Sequence, residues 1–289
     1  RDLMAYKSSP RPSFDRPTPI PYARATRHVW GDAESGLVDD WIYVSSDKIH
    51  QLVFGLPPGE GFRHSESFRT VFAADEVLFV LEGTMLIANP ETGEVHLVHR
   101  GESAFFRRDT WHHAWAWGGE ELRVLEFFAP PPSTGSSGPY ARTRPYVAVP
   151  RYERAELIGD WPMGRQGAEA RASIRVLREA DRLLMLDPTD PRVLTGIVAS
   201  TDQLTAGSMR LAPGGRSAPL RHGGAAGLYA LAGRVNILVD DPEAEPPVWF
   251  ELHPGDGFYV PEGTPYRAFN MGGEPAELLF GVAPRYRPA

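Results

Sequence analysis

With 289 residues the chain can bury a sizeable core, as one large β domain or two of average size, and 42% hydrophobic with 23% charged residues is ordinary for a globular fold. A net charge of −7, with thirty basic residues spread along the chain, argues against a nucleic-acid partner or an anionic membrane surface, and no apolar run reaches the ~18–20 residues of a membrane span. The lack of cysteine removes disulfides, thiolate ligands and cysteine nucleophiles together; with a polar, proline-rich start and no apolar leader, it gives the expectation of a cytoplasmic protein.

Residues 1 to about 40 read as an extended arm without a core of its own, because Pro10, Pro12, Pro17, Pro19 and Pro21 hold the chain in extended or turn conformations. Such an arm lies over a neighbouring surface or subunit, which suggests a homodimer. The patterned chain begins near Asp40. Trp41–Val44 and Ile49–Phe54 read as strands, Gly55–Gly61 as a loop and Phe68–Phe72 as a further strand. Glu76–Leu81, Thr84–Ala88, Glu94–His99, Ser103–Arg107, His112–Trp117 and Leu122–Phe128 follow, each bounded by turn residues. Many short strands at regular spacing predict an all-β sandwich or barrel. Residues 131–164 read as a connector. Arg165–Arg182 fits a short helix or a run into a strand from Ile174. From Val193 the strand pattern returns.

The halves repeat. Glu76-Val-Leu-Phe-Val-Leu-Glu-Gly83 aligns with Ala226-Gly-Leu-Tyr-Ala-Leu-Ala-Gly233 at an offset of 150. His99-Arg-Gly101 aligns with His253-Pro-Gly255, and Trp117-Gly-Gly-Glu120 with Met271-Gly-Gly-Glu274, at an offset of 154. The four-residue change falls in the turn around Pro90 and Asp241, where insertion is cheap. Two copies of one β module therefore divide the chain into residues 1–150 and 151–289.

Pro213-Gly214-Gly215, Leu220-Arg221-His222 and the run Gly255-Asp-Gly-Phe-Tyr-Val-Pro261-Glu-Gly263-Thr-Pro-Tyr266-Arg-Ala-Phe-Asn270 resemble the two motifs of the cupin superfamily, and the duplication resembles a bicupin. The resemblance implies two tandem jelly-roll β-barrels. It covers dioxygenases, decarboxylases, isomerases, lyases and binding proteins, so it is specific for fold and not for chemistry.

In that family a metal is held by an H-x-H pair, a glutamate several residues on and a histidine of the second motif. In the second copy these positions hold Leu220, His222, Ala226 and Tyr266, which leaves one good ligand and predicts a metal-free barrel. In the first copy Glu76 fits the glutamate and His112 the second-motif histidine, but Thr70 and Phe72 fall where the H-x-H pair is expected. Either an insertion lets His64, with or without Glu66, reach the metal, or the site has lost two ligands. The expected ligand set is His64, Glu76 and His112, and the expected ion is divalent, Fe(II) before Mn, Ni or Zn. Glu76, His112 and Arg69 are the candidate catalytic groups, although Arg69, Arg107 or Arg108 could instead pair with Glu76. Adjacent on one strand, His112 and His113 point to opposite faces. Phe72, Phe106, Trp111 and Trp115 are the candidate walls of an aromatic pocket, or else plain core. The first functional expectation is a metal-dependent, dioxygenase-type enzyme acting on a small aromatic or keto compound in the N-terminal barrel. The alternatives are a metal-free small-molecule-binding protein, or an isomerase, cyclase or decarboxylase using His/Glu acid–base chemistry.

Overall fold

The computed structural model describes residues 9–131, 139–240 and 248–287. In the first barrel a seven-stranded sheet has the order Ile174–Leu177, Ser103–Phe106, Asp75–Glu82, Leu122–Ala129, His50–Leu56, Gly36–Ser45, Thr26–Asp32. It packs over a four-stranded sheet ordered Gly61–Phe62, His113–Ala116, Thr84–Ala88, Val95–His99. The second barrel repeats the plan. Thr18–Ile20, Gly257–Val260, Ala225–Ala232, Ala276–Ala283, Thr205–Leu211, Val193–Ser200 and Leu183–Leu186 form its large sheet; Val248–Leu252, Val235–Val239 and Tyr266–Phe269 form the small one. Strand Asp75–Glu82 and its counterpart Ala225–Ala232 are offset by 150, and Leu122–Ala129 and Ala276–Ala283 by 154. Each copy leaves its first matched strand through a glycine in the left-handed region, Gly83 at φ 74° and Gly233 at φ 65°, where a side chain would be strained.

Two segments are exchanged. Thr18–Ile20 pairs with Gly257–Val260 in the second barrel, and Ile174–Leu177 pairs with Ser103–Phe106 in the first. The stretch expected to be a coreless arm is therefore mostly built in. Thr26–Asp32 and Gly36–Ser45 form a hairpin whose Trp30 and Val38 enter the first core, because alternation places them on the inward face. Residues 1–8 lie outside the described residues. With Thr18–Ile20 committed to its own chain, the arm no longer argues for a homodimer. The strand expected at Phe68–Phe72 is a loop, tied by the Phe68 N–H to Ser65 Oγ at 3.0 Å and by the Ser65 N–H to the Phe68 carbonyl at 2.8 Å. Both readings of residues 165–182 hold in part: a helix spans Arg165–Ala170 and a strand follows at Ile174–Leu177. No described helix is long and apolar enough to cross a membrane.

The large sheets pack back to back. On Leu122–Ala129, Val124 faces its own barrel core, while Leu125, Phe127 and Ala129 face the other barrel. Burial on both faces explains why these strands carry apolar residues at both odd and even positions rather than in strict alternation. Phe127 sits on two backbone-only positions: a Cβ at Gly281 would lie 2.5 Å from its ring, and one at Gly227 would lie 2.2 Å from Gln51 Oε1. Tyr43 Oη donates to the Gly255 carbonyl at 2.6 Å across the same junction.

A carboxylate anchors the second exchanged segment. Buried Glu94 accepts the Ser173 backbone N–H at 2.9 Å (Oε1) and 3.0 Å (Oε2), together with the Ser173 and Thr92 hydroxyls. Burial works to raise its pKa, but His96 Nε2 at 3.5 Å and hydrogen bonds from Ser173 and Thr92 outweigh it and hold the carboxyl down to about 2. Glu94→Ala strands these donors and is expected to cost about 2 kcal/mol in urea unfolding. Loss of under a tenth of that would show that the segment is held without Glu94.

Candidate functional site

Every second residue of the first large sheet faces the barrel interior, and Asp40, His50, Glu76 and Glu126 are among them. In register, Glu76 lies opposite Phe128, and Phe128 opposite His50; Glu126 lies opposite Leu52, and Asp40 opposite Phe54. The concave sheet turns these side chains inward. His112 enters from the loop preceding His113–Ala116, its N–H bonded to the Thr70 carbonyl at 3.1 Å and its ring 4.6 Å from Phe106 and 5.8 Å from Phe72. His112 Nδ1 lies 3.3 Å from the Thr110 carbonyl, an acceptor, so the proton sits on Nδ1 and the Nε2 lone pair is left facing Glu76 Oε2 at 3.7 Å. Donor atoms of Glu76, His112 and Glu126 lie within 4.8 Å of one another, and all three residues are buried. Glu76 Oε2 has no hydrogen-bond partner among the described residues. Beside them lies a cavity of about 60 Å³ walled by Phe54, Phe62, Phe72 and Phe128, with Asp40, His50, Thr70, His112 and Glu126 as its main polar groups.

Burial sets the charges here. It pushes the Glu126 carboxyl up to about 8, and burial with the neighbouring Glu126 pushes Glu76 well above the carboxylate range. Burial, then the charges of Glu126 and Asp39, raise Asp40 likewise. His112 is pushed down to about 4 and His50 to about 3, both by burial, so each imidazole is neutral near pH 7. Glu76 and Glu126 therefore hold either a proton or a cation between them. One imidazole and two carboxylates suit a divalent ion such as Mn(II), Fe(II) or Zn(II), and the orphaned Glu76 oxygen is an atom such an ion would satisfy. The residues fit a metal.

The shifts give a pH dependence for the metal-free protein. Glu126 has a raised folded pKa, so its contribution is full below the unfolded value near 4.5 and is lost as pH rises through about 8. His112 has a depressed one, so its contribution is full above 6.5 and is lost as pH falls through about 4. Stripped protein is expected to melt at a lower temperature at pH 8.5 than at pH 5.5, and Glu126→Gln to shrink that drop. An equal drop in the variant would remove Glu126 as its source.

The expected ligand trio is not what the barrel assembles. Five extra residues do separate the Gly59 turn from Thr70, compared with Gly214 and Leu220 in the second copy. They do not carry His64 to Glu76. His64 pairs with His113, and its Nε2 bonds the Val147 carbonyl at 2.8 Å. Thr70 and Phe72 occupy the H-x-H positions: the bond from the His112 N–H to the Thr70 carbonyl repeats that from the Tyr266 N–H to the Leu220 carbonyl. Glu126 stands in the third place instead.

Arg69 is also elsewhere. Its guanidinium donates to the carbonyls of Ala141, Arg142 and Arg144 at 3.2, 3.4 and 2.9 Å and lies over Tyr146. Arg107 pairs with Asp75 and Asp202, and Arg108 with Asp109, so none of the three neutralises Glu76. Of the expected pocket walls, Phe72 lines the cavity and Phe106 touches His112. Trp111 instead packs on Val71 and Ala141. Trp115 and His113 point away from the core, because Ala114 and Ala116 take the inward positions of that strand. From sequence alone Glu126 and Asp40 carry no role, and Thr70 is placed only as a non-ligand at an H-x-H position. A lone glutamate between Val124 and Phe128 in an apolar strand was the available signal.

In the second barrel the residues at the Asp40, Glu76, His112 and Glu126 places are Thr195, Ala226, Tyr266 and Phe280. His222 bonds the Tyr266 hydroxyl at 2.9 Å and stacks on Tyr286, so that interior is filled.

The cupin domain profile matches residues 52–128 and 207–282. A search of curated proteins finds no match. Among solved structures, a deletion variant of Bacillus subtilis oxalate decarboxylase OxdC shares 12% identity and a TM-score of 0.63, covering 97% of this chain and 80% of that one. The formate complex of Lactobacillus farciminis oxalate decarboxylase shares 14% and 0.62, covering 93% and 87%. A Pseudomonas aeruginosa protein described as glyoxylate-induced shares 17% and 0.64, covering 97% and 94%. At these identities the likeness is one of fold.

Proposed function

This chain belongs to the cupin domain family, of which it carries two copies, and on that premise we propose that its N-terminal barrel is a metal-dependent lyase site that decarboxylates a small carboxylic acid. The observation that carries the reading is the convergence of buried donor atoms of Glu76, His112 and Glu126 to within 4.8 Å of one another, beside an apolar-walled cavity that His112 and Glu126 line, with a Glu76 oxygen that has no partner among the described residues. Glu76, His112 and Glu126 would hold the ion. When bound, it supplies a positive centre for the substrate carboxylate and for the electron pair left as CO₂ departs. The His112 Nδ1–H bond to Thr110 fixes the ring with Nε2 inward. The phenylalanine walls exclude water and weaken solvation of a substrate carboxylate relative to a spread-out transition-state charge. The decarboxylase names of two structural relatives support this reading over the dioxygenase expectation, which explains neither the apolar walls nor the raised acids.

A second reading has its own support. Donor atoms of Glu76 and Glu126 lie within 4.8 Å of each other, and with both carboxyls raised by burial the pair would hold a proton beside the free lone pair of His112, which suits metal-free proton transfer in an isomerase. Manganese-loaded protein offered small mono- and dicarboxylic acids, with headspace CO₂ followed under air and under nitrogen, separates these. The lyase reading expects CO₂ under both atmospheres and none after chelation. Product formation that needs oxygen would contradict it, and turnover that survives the chelator would favour the isomerase.

A further inference from the structure

In the cavity beside the metal-capable trio, two polar groups have no hydrogen-bond partner among the described residues. Asp40 is 6% exposed and lines the cavity, and only burial and nearby charges act on its carboxyl; no hydrogen bond joins it to another described residue. Trp30, 7% exposed, lines the same cavity, and its indole Nε1–H has no acceptor among the described residues. The register explains their nearness. Asp40 lies opposite His28 and Val38 opposite Trp30, so Trp30 and Asp40 are diagonal neighbours on one inward face. Buried polar groups of a folded protein are nearly always paired, and two orphans of complementary kind on one wall mark a place for a ligand group.

Their chemistry narrows that group. Trp30 can only donate, whereas Asp40 can accept. An ammonium would suit Asp40 but cannot accept from Trp30. A carboxylate could accept from Trp30, but it would have to leave water for an apolar wall that carries no Lys or Arg, and burying a charge without a cationic partner is costly. A hydroxyl both donates and accepts. We propose that Trp30 and Asp40 recognise a substrate hydroxyl, so that the N-terminal barrel takes small hydroxy-monocarboxylic acids and rejects dicarboxylates. The placement of the acid end rests on the metal-dependent reading above; the hydroxyl contact does not.

The test is isothermal titration of manganese-loaded protein with glycolate, acetate and oxalate, which are small enough for the cavity. Glycolate and acetate differ by one hydroxyl. Wild type is expected to bind glycolate about tenfold more tightly than acetate, and oxalate more weakly than glycolate. Trp30→Phe keeps the ring and should lose most of the preference. Asp40→Leu should abolish it and Asp40→Asn retain part of it, with acetate affinity in each variant staying within about twofold as a check on folding. Equal affinities for glycolate and acetate in wild type would mean that water alone fills the site and would overturn the proposal. So would tighter binding of oxalate, or a preference unchanged in both Trp30→Phe and Asp40→Leu. Elemental analysis of the same samples reports on the metal separately. Should no manganese be retained, the ratio is read on metal-free protein, where its persistence upholds the hydroxyl contact and its absence overturns it.

Discussion

Glu126→Gln is expected to lower divalent-metal affinity by about 100-fold or more while leaving the metal-free fold intact. The substitution keeps the volume of a side chain that lines the cavity and removes one of two carboxylates in the donor set. The same change should stabilise, or leave unchanged, stripped protein at alkaline pH, because the buried Glu126 carboxyl resists ionisation up to about 8 and an amide never ionises. Opposite signs for metal affinity and apo stability distinguish a ligand from a structural acid. Competition titration with a chromogenic chelator, alongside thermal melts at pH 8.5, reads both. Unchanged metal affinity would remove Glu126 from the site and leave Glu76 and His112 short of a third donor.

Gly281→Leu is expected to destabilise the protein by about 3 kcal/mol or more, among the largest effects of any single change outside the site. The ring of Phe127 lies where the new Cβ would stand, and tight packing of both sheets leaves it little room to move. Phe127→Ala alone should cost about 3–5 kcal/mol through the cavity it opens. The double variant should cost less than the sum, since each change relieves part of the other's defect. Strict additivity in urea unfolding would mean that the barrels do not meet through this pair.

The architecture was largely legible because it is written twice. Gly83 and Gly233, Gly101 and Gly255, and the matched apolar runs fixed the strand plan, and a left-handed glycine at each turn is a constraint that sequence displays directly. The strand exchange was not legible. Thr18–Ile20 and Ile174–Leu177 are short, and their pairing depends on which sheet edge is free once both barrels close, a long-range outcome that local pattern does not encode. The hairpin at residues 26–45 was hidden by the prolines before it.

At the site, Glu76 and His112 were readable from motif spacing. Glu126 was not, because it lies fifty residues from Glu76 in the chain and reaches it only through the diagonal geometry of adjacent strands. His64 misled for the converse reason. It is near Glu76 in sequence, but the five-residue insertion turns it toward His113 and the Val147 carbonyl. Arg69 misled similarly: backbone carbonyls of the connector, not a carboxylate, satisfy its guanidinium.

The central claim is a single divalent ion held by Glu76, His112 and Glu126. Anomalous diffraction at the manganese edge from crystals of the manganese-loaded protein tests it most directly. One strong peak per chain is predicted inside the first barrel, within coordination distance of all three residues, and none in the second barrel. A peak between His64 and His113, or no peak at saturating manganese, would contradict the account.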